Sequence, residues 1–241
     1  MTRKLLVAAF VVALAASLHA ADTPNTLTNE ERADGWKLLF DGTTTSGWRG
    51  YKKDTPPAAW QVVDGAITLA GESVGDLITA DEYENFEFAF EWKISKNGNS
   101  GVFYLVQEKP ELKNTYNSGP EYQVIDNEGH PDAKNGPDRF AAANYALQAP
   151  TKSATRPIGE WNQGRIVKNG AHVEHWLNGE KVVEYQLWGD AWKAQVAKSK
   201  FNAMPAYATA KKGHLALQDH GNPVSFRSLK IKVLPSSKGT N

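Results

Sequence analysis

Three segments of the sequence carry proton-exchanging or hydrogen-bonding side chains at the two-residue spacing of a β-strand. Glu121 and Gln123 alternate with apolar residues in EYQVI, Gln218 and His220 have the same spacing in LQDH, and His175 lies in HVEHWL. Alternate side chains of a strand point to the same face, so each spaced pair shares a face. Histidine exchanges protons near neutral pH. If these segments meet, a carboxyl group and an imidazole could provide general acid and base catalysis.

His175 has a second interpretation, because it alternates with Val173 and Leu177 and could be a half-buried strand residue without a chemical role. For His220 the functional interpretation is favoured, since it stands at the expected end of a strand and directly precedes Gly221.

Two further carboxylates, Glu87 and Glu91, lie in the segment from Phe86 to Ile94, where large apolar residues occupy every even position. They could form the solvated face of this strand or contact a ligand. A glycosidase with two carboxylates would also place acidic groups across a cleft. The short E-x-D-x-E strand motif typical of sandwich-fold endoglucanases is absent, because Ala89 lies between Glu87 and Glu91.

The elements that must position these residues are mostly short strands. Turn-forming dipeptides at positions 64–65, 169–170 and 178–179 (Asp-Gly once, Asn-Gly twice) separate strand-like runs and indicate hairpins. Further strands are predicted at 36–40, 101–106, 121–125, 214–219 and 226–233. One short helix is predicted from Asp190, as its cap, to Phe201. The pattern predicts an all-β fold, a two-sheet antiparallel sandwich of jelly-roll type.

The composition excludes several classes of function. The 241 residues contain no cysteine, which rules out disulfides, thiolate metal sites and cysteine nucleophiles. Basic and acidic residues number 27 each, a balance that is not typical of a nucleic-acid-binding protein.

The N-terminus resembles a secretory signal peptide. Arg3 and Lys4 precede an apolar stretch that ends in small residues at Ala20 and Ala21. We expect a signal peptide over 1–20, an N-terminal extension over 21–35, a sandwich domain over 36–234 and a loose tail over 235–241. The expected location is the periplasm or the exterior of the cell, with no membrane span after signal removal.

A polar loop from Asp126 to Asp138 is rich in oxygen ligands and could hold a calcium ion, although a solvated turn-rich loop is the favoured interpretation. No cofactor is certain from the sequence. A divalent metal ion held by Glu121, His175 or His220 stays an open alternative.

Several motifs together resemble one bacterial family. They are LLFDGTTTSGW at 38–48, NSGVFY at 99–104, GPEYQVIDNEGH at 119–130, GEWNQGRIVKNGAHVEHWLNGEKVVEY at 159–185 and GHLALQDHGNPVSFRSLKI at 213–231. The resemblance is to the 3-keto-disaccharide hydrolase family, also described as a 3-keto-glucoside 1,2-lyase and 3-keto-2-hydroxy-glucal hydratase domain. It implies a concanavalin A-like lectin/glucanase sandwich and cleavage of an oligosaccharide or glycoside oxidised at C3.

Such a substrate defines what the site must supply. The C3 ketone acidifies the C2 proton, so a base can remove it while an acid assists departure of the C1 leaving group. Water then adds to the resulting glucal. We expect His175 or His220 as the general acid or base and Glu121 as base or metal ligand. The expected sugar or enolate contacts are Gln123, Gln218, Arg165, Glu91 and Trp161.

Two other functions remain open at this point. The first is a non-catalytic carbohydrate-binding module, in which Trp48, Trp60, Trp161 or Trp188 would stack on a sugar. The second is a structural or adhesive envelope protein. An enzyme should bring titratable groups together in one pocket, whereas a binding module should present a flat aromatic strip.

Overall fold

Two antiparallel sheets packed face to face form the part of the chain that the computed structural model describes, residues 23–71 and 73–235. The strands are β1 (Trp36–Leu38), β2 (Trp48–Gly50), β3 (Trp60–Val63), β4 (Ala66–Leu69), β5 (Leu77–Thr79), β6 (Phe86–Ile94), β7 (Asn99–Val106), β8 (Glu121–Ile125), β9 (Asn162–Asn169), β10 (His172–Leu177), β11 (Glu180–Gln186), β12 (His214–Leu217) and β13 (Val224–Val233). The predicted all-β, two-sheet antiparallel sandwich is therefore confirmed.

The larger sheet has the order β11-β10-β9-β6-β13-β4-β3, and β1 also pairs with β13. The smaller sheet has the order β2-β5-β12-β7-β8. Most neighbouring strands are distant in sequence. Strand β8, which carries Glu121 and Gln123, and the end of β12, which Gln218 follows, therefore come to the same part of the smaller sheet only through the order of its strands.

Strand β6 shows why the chain folds with this face inward. Its even-numbered residues are buried and its odd-numbered residues are partly exposed, as the alternation predicts. Phe90 packs edge-on against Tyr122 of the opposite sheet, with ring centroids 5.3 Å apart. Burying an aromatic side chain of this size contributes roughly 1.5–3 kcal/mol, so a one-residue slip of β6 would be strongly unfavourable.

All three predicted hairpins form, but one turn lies a residue further on. Asp64 (φ 50°) with Gly65, and Asn178 (φ 49°) with Gly179, adopt the positive φ angles of type I′ turns. At the third hairpin Asn169 still pairs with His172, and residues 170–171 make the turn. There only the glycine has a positive φ, 60°, as a type II′ turn requires at its first central position.

The predicted helix is shorter than expected. Helix α2 spans Asp190–Ala197, and a separate 3₁₀ turn follows at Lys200–Ala203. The break arises at Ser199, whose hydroxyl accepts a hydrogen bond from the Phe201 backbone amide. Asp190 is the first helical residue and not the cap, and the N-cap is Gly189.

An additional short helix, α1, spans Asn29–Ala33 and carries a capping box between Thr28 and Glu31. Within the described residues, none of the helices is both long enough and apolar enough to cross a membrane. The expected signal peptide at 1–20 and most of the expected tail at 235–241 lie outside the described residues.

Candidate active site

A cavity of about 280 Å³ lies on the outer face of the smaller sheet. Its volume is close to the lower end of the range typical of small-molecule sites, roughly 300–1,000 Å³, so it suits a compact ligand. Strands β7, β8 and the segment after β12 form its floor, and loops from elsewhere in the chain form its rim. The lining residues are Asn99, Tyr116, Glu121, Gln123, Tyr145, Lys200, Phe201, Met204, Gln218 and His220.

Strand register explains why four of the predicted site residues meet here. Gln123 of β8 lies opposite Gly101 of β7, and the Gln218 backbone amide donates to the Gly101 carbonyl at 2.9 Å. These three residues therefore form a row across the middle of the cavity floor. Glu121 belongs to the next row, opposite Phe103, and His220 lies two residues beyond Gln218 toward the other end.

Glu121 is 5% exposed, and its carboxyl group leans over Gly101 toward the middle of the cavity. Burial raises the pKa of Glu121 to about 8. Lys200 opposes this shift and Asp76 adds to it. Among the described residues, none donates a hydrogen bond to this carboxyl group, which is consequently mostly protonated at neutral pH and able to donate.

Three amide atoms in the same cavity lack a partner among the described residues: Asn99 Oδ1, Gln123 Nε2 and Gln218 Oε1. Gln123 Oε1 accepts a hydrogen bond from the Val124 backbone amide at 3.0 Å, which leaves its NH₂ group free. A buried polar atom without a partner costs about 1–3 kcal/mol. Two acceptors and one donor are thus available to the hydroxyl and carbonyl groups of a ligand.

A histidine pair stands at one end of the cavity. The rings of His220 and His130 meet nearly at right angles, with centroids 5.8 Å apart. His130 Nδ1 accepts a hydrogen bond from the Asp132 backbone amide at 3.1 Å, which assigns the ring proton to Nε2. Burial, with a smaller effect of His220, lowers the pKa of His130. His220, which lines the cavity, can exchange protons with a ligand from the side opposite Glu121.

Asp76 fixes the segment that carries Gln218 and His220. Its Oδ1 accepts a hydrogen bond from the Asp219 backbone amide at 2.8 Å, and Asp219 Oδ2 in turn accepts one from the Gly75 amide at 2.8 Å. Burial raises the pKa of Asp76 to about 6. The two carboxylates hold this segment in place although it lies beyond the last paired residue of β12.

One lysine lines the cavity on the loop side, and an arginine packs on the same tyrosine ring as this lysine. The Lys200 ammonium lies over the Tyr145 ring, 4.1 Å from its centroid, and the Arg139 guanidinium lies 4.7 Å from the same centroid. The Tyr145 hydroxyl donates to Asp132 Oδ2 at 2.9 Å. Desolvation lowers the pKa of Lys200, and Glu121 opposes that shift. A negative charge that develops in the cavity would therefore be stabilised.

Gly101→Ala should displace the Glu121 carboxyl group. A Cβ atom at this position would clash with Glu121 Oε1 and lie 3.0 Å from Glu121 Cγ and Cδ. A misplacement of about 1 Å can cost roughly 10²-fold in rate, so we expect a kcat loss of that order with little change in thermal stability. Gly189→Ala is the matched control, because a Cβ there meets nothing within 4 Å. Equal kcat in both variants would show that the position of the carboxyl group does not matter.

The expectation that His175 shares a site with Glu121 is not met by the geometry. His175 is fully buried on the core face of β10 and does not line the cavity. Its Nδ1 donates to the Ala142 carbonyl at 3.0 Å and its Nε2 accepts from the Tyr104 hydroxyl at 3.1 Å. Burial lowers its pKa to about 4, so it is neutral. The pleat that pairs it with Val173 and Leu177 points it inward.

The other expected sugar contacts lie on the opposite outer face of the sandwich. Glu91, Trp161 and Arg165 line a trough on the larger sheet, away from Glu121. Glu91 accepts from the Arg227 Nε at 2.8 Å, and Arg227 also covers the Trp161 ring at 4.1 Å. Arg165 forms an ion pair with Glu87 at 3.2 Å. The structure does not bring these residues together with the cavity.

The expected metal ligands do not form a cluster either. Within residues 23–71 and 73–235, the group of three ligand atoms close enough to hold an ion is that of His172, Glu174 and Glu184, on the larger sheet. Lys181 already contacts both glutamates there, at 3.2 and 2.6 Å. In the polar loop that begins at Asp126, the Asp126 carboxylate accepts hydrogen bonds from backbone amides, including that of Gly129 at 3.0 Å.

Sequence analysis missed Asn99, Tyr116, Tyr145 and Lys200 as cavity residues. The residues come from a strand start, two loops and the turn after α2, and no local spacing connects them with β8. Of these four residues, Asn99 had a recognisable sequence signal, because it opens the NSGVFY motif. It lies two residues before Gly101, whose missing side chain makes room for the Glu121 carboxyl group.

Comparisons with known proteins agree with the sequence motifs. A family model for the 3-keto-alpha-glucoside-1,2-lyase-like domain matches residues 35–232. A protein of Bacteroides thetaiotaomicron named 3-keto-disaccharide hydrolase is 40% identical over 230 residues, which are 84% of this chain and 79% of that protein.

Solved structures show the same fold. A candidate glycosyl hydrolase from Parabacteroides distasonis is 39% identical, with a TM-score of 0.83 over 88% of this chain and 100% of the other. The carbohydrate-binding module CBM66 from Bacillus subtilis shares only the fold, at 9% identity and a TM-score of 0.50 over 77% of this chain and 95% of that module. From the family match and the identity to a named relative, the chain belongs to the 3-keto-alpha-glucoside-1,2-lyase-like family.

Proposed function

We propose that the cavity cleaves glycosides whose C3 hydroxyl has been oxidised to a ketone, by removing the C2 proton, eliminating the C1 substituent and hydrating the resulting 3-keto-2-hydroxy-glucal. The observation that carries this proposal is a protonatable carboxyl group, three unpartnered amide atoms and a histidine in one cavity of about 280 Å³. Membership of the family and the name of the curated relative support the substrate class.

In this mechanism His220 is the base and Glu121 is the acid. His220 is exposed at one end of the cavity, whereas Glu121 is buried and holds its proton at neutral pH. His220 takes the C2 proton, the electron pair forms an enolate with the C3 oxygen, and the C1–O bond breaks as Glu121 protonates the leaving oxygen. The Gln123 NH₂ group and the Lys200 ammonium are the donors available to the enolate oxygen.

Hydration returns both residues to their starting states. After elimination Glu121 is ionised and His220 is protonated. The Glu121 carboxylate then takes a proton from water as its oxygen adds to C1, and His220 returns a proton to C2. The net reaction is hydrolysis of the glycosidic bond, with no covalent bond between the enzyme and the sugar.

The requirement for the ketone is the first test. The protein should release the leaving group from a 3-keto-glucoside and give no measurable turnover of the ordinary glucoside, because without the C3 ketone no side chain is basic enough to remove the C2 proton. Chromogenic glucosides in oxidised and unoxidised form, assayed side by side, measure this directly. Robust cleavage of the unoxidised glucoside would instead indicate a two-carboxylate glycosidase.

The binding-module alternative is less well supported. Trp48 and Trp60 are each 4% exposed, and their indole N–H groups donate to the Leu39 and Gly75 carbonyls at 2.6 and 3.0 Å. They fill the core and cannot stack on a sugar. We further propose that the protein acts outside the cytoplasm, on the basis of the signal-peptide pattern of its first 20 residues.

A further inference from the structure

Two paired strands of the larger sheet bring an imidazole and two carboxylates together on their outer face. Among the described strands, β11 stands at one end of the order of this sheet and pairs with β10. Glu174 of β10 lies directly opposite Glu184 of β11, and His172 lies two residues before Glu174, on the same face. One ligand atom from each of the three residues lies within 4.8 Å of the other two. The strand register therefore gathers three potential metal ligands.

The separations between these ligand atoms fit a tetrahedral metal ion. His172 Nε2 lies 3.2 Å from Glu174 Oε1 and 3.5 Å from Glu184 Oε1. Zinc binds imidazole nitrogen and carboxylate oxygen at about 2.0–2.2 Å, so two ligands of a tetrahedral ion lie roughly 3.4 Å apart. The imidazole favours zinc over magnesium and calcium, which take oxygen ligands. Water can supply the fourth ligand, because the His172 side chain is 32% exposed.

Groups outside the three residues orient two of them. The Trp176 indole N–H donates to Glu174 Oε2 at 2.8 Å, while Glu174 Oε1 faces the imidazole. Gln186 Nε2 lies 2.9 Å from His172 Nδ1, and a half-turn of this exposed amide lets its oxygen accept a proton from Nδ1. In that tautomer the lone pair of His172 Nε2 is available to a metal. Metal-bound histidines and carboxylates usually have outer partners of this kind.

The strand pairing itself creates a demand for positive charge. Like charges directly opposite each other destabilise a strand pair, and Glu174 and Glu184 are such a pair. The Lys181 ammonium meets part of this demand, at 3.2 Å from Glu174 Oε1 and 2.6 Å from Glu184 Oε2. It leaves Glu184 Oε1 to the imidazole. An ion beside His172 therefore competes with Lys181 only for Glu174 Oε1, and the exposed lysine is free to turn toward solvent.

We propose that His172, Glu174 and Glu184 form a binding site for a divalent transition-metal ion such as Zn²⁺, and that this ion ties β11 to β10. The three residues lie on the larger sheet, whereas the cavity lies on the outer face of the smaller one, so the ion takes no part in the proposed reaction. An ion that joins side chains of two strands binds the folded hairpin in preference to the unfolded chain and stabilises the fold.

Calorimetric titration of the purified protein with Zn²⁺ tests the site. His172→Asn removes the nitrogen ligand and should lower the affinity for Zn²⁺ by at least about tenfold. Trp176→Phe removes the donor that orients Glu174 and should lower it about tenfold. Glu184→Gln should weaken binding as His172→Asn does. Glu180→Gln, which removes another exposed carboxylate from β11, is the matched control and should bind Zn²⁺ like the wild type.

Lys181→Met gives the opposite expectation. It removes a positive charge beside the site and should raise the affinity for Zn²⁺ about tenfold. Saturating Zn²⁺ should also raise the melting temperature of the wild type by several degrees more than that of His172→Asn. Equal affinity and equal thermal stabilisation in the wild type and His172→Asn would overturn the proposal, since any bound Zn²⁺ would then lie elsewhere. Binding to Lys181→Met that is no tighter than to the wild type would likewise contradict a site beside this lysine.

Discussion

Glu121→Gln is expected to lower the turnover of a 3-keto-glucoside by roughly 10²–10⁴-fold, the loss typical of a missing general acid. Glutamine has nearly the same shape and can still donate a hydrogen bond, but it cannot give a proton to the leaving oxygen. The wild-type rate should fall above about pH 8, because the pKa of Glu121 is raised to about 8 and its ionised form no longer protonates the leaving group. The variant should lose this alkaline limb.

The same substitution should stabilise the folded protein at neutral pH. The pKa of Glu121 is about 8 in the folded state, against an ordinary value of 4.5 that applies to the unfolded chain. Stability is unaffected below about pH 4.5, where both states are protonated, and falls as the pH rises toward 8, because only the unfolded state ionises freely. By pH 7 the cost is roughly 3 kcal/mol, at about 1.4 kcal/mol per pH unit.

Thermal unfolding at two pH values measures this effect. At pH 7 Glu121→Gln should melt several degrees above the wild type, since about 1 kcal/mol corresponds to roughly 2–4 °C for a domain of this size. At pH 4.5 the two curves should nearly coincide. Glu111→Gln, at an exposed position, is the control and should change neither turnover nor melting. Wild-type turnover in Glu121→Gln would contradict the assignment of the acid. So would a variant that melts below the wild type at pH 7 while the two melt together at pH 4.5.

His220→Asn should be comparably inactive, with a loss of roughly 10²–10⁴-fold, but for the opposite reason. This variant retains the acid and lacks the base that removes the C2 proton. His220 is exposed, so its loss should leave the melting temperature nearly unchanged. His172→Asn removes a histidine from the other sheet and serves as the control, with full activity expected.

Isotope exchange distinguishes the two inactive variants. In D₂O, Glu121→Gln should still exchange the C2 proton of a 3-keto-glucoside because His220 remains, whereas His220→Asn should not. Full turnover in His220→Asn, or undiminished exchange at C2, would mean that another group is the base. His130, whose ring lies against that of His220, would then be the next residue to replace.

The sheet faces could be predicted because alternation is a local property. In β8 the sequence EYQVI places Tyr122 in the core and Glu121 and Gln123 outside, and the structure has this arrangement. The same rule holds for β6, where every even residue is buried. The alternation in β10 likewise groups His175 with Val173 and Leu177, which supports its interpretation as a buried strand residue. Its neighbours Val173 and Leu177 share its buried face.

The rest of the cavity depends on contacts between distant parts of the chain. Lys200 reaches the Tyr145 ring only because α2 ends at Ala197 and a 3₁₀ turn follows. Asp76 meets the Asp219 amide across 143 residues of sequence. Arg165 lies in β9 and Trp161 directly precedes it, and β9 belongs to the larger sheet. Sheet order, which sequence alternation does not encode, separates them from the cavity.

The most direct test of the account is the position of deuterium in the product. The wild-type protein is incubated in D₂O with a 3-keto-glucoside for a short time, and the released 3-keto-glucose is analysed by proton NMR against a sample with heat-inactivated protein. If the reaction proceeds through loss and return of the C2 proton, the product carries deuterium at C2 from its first appearance. Release of the leaving group with protium fully retained at C2 would contradict the proposed mechanism.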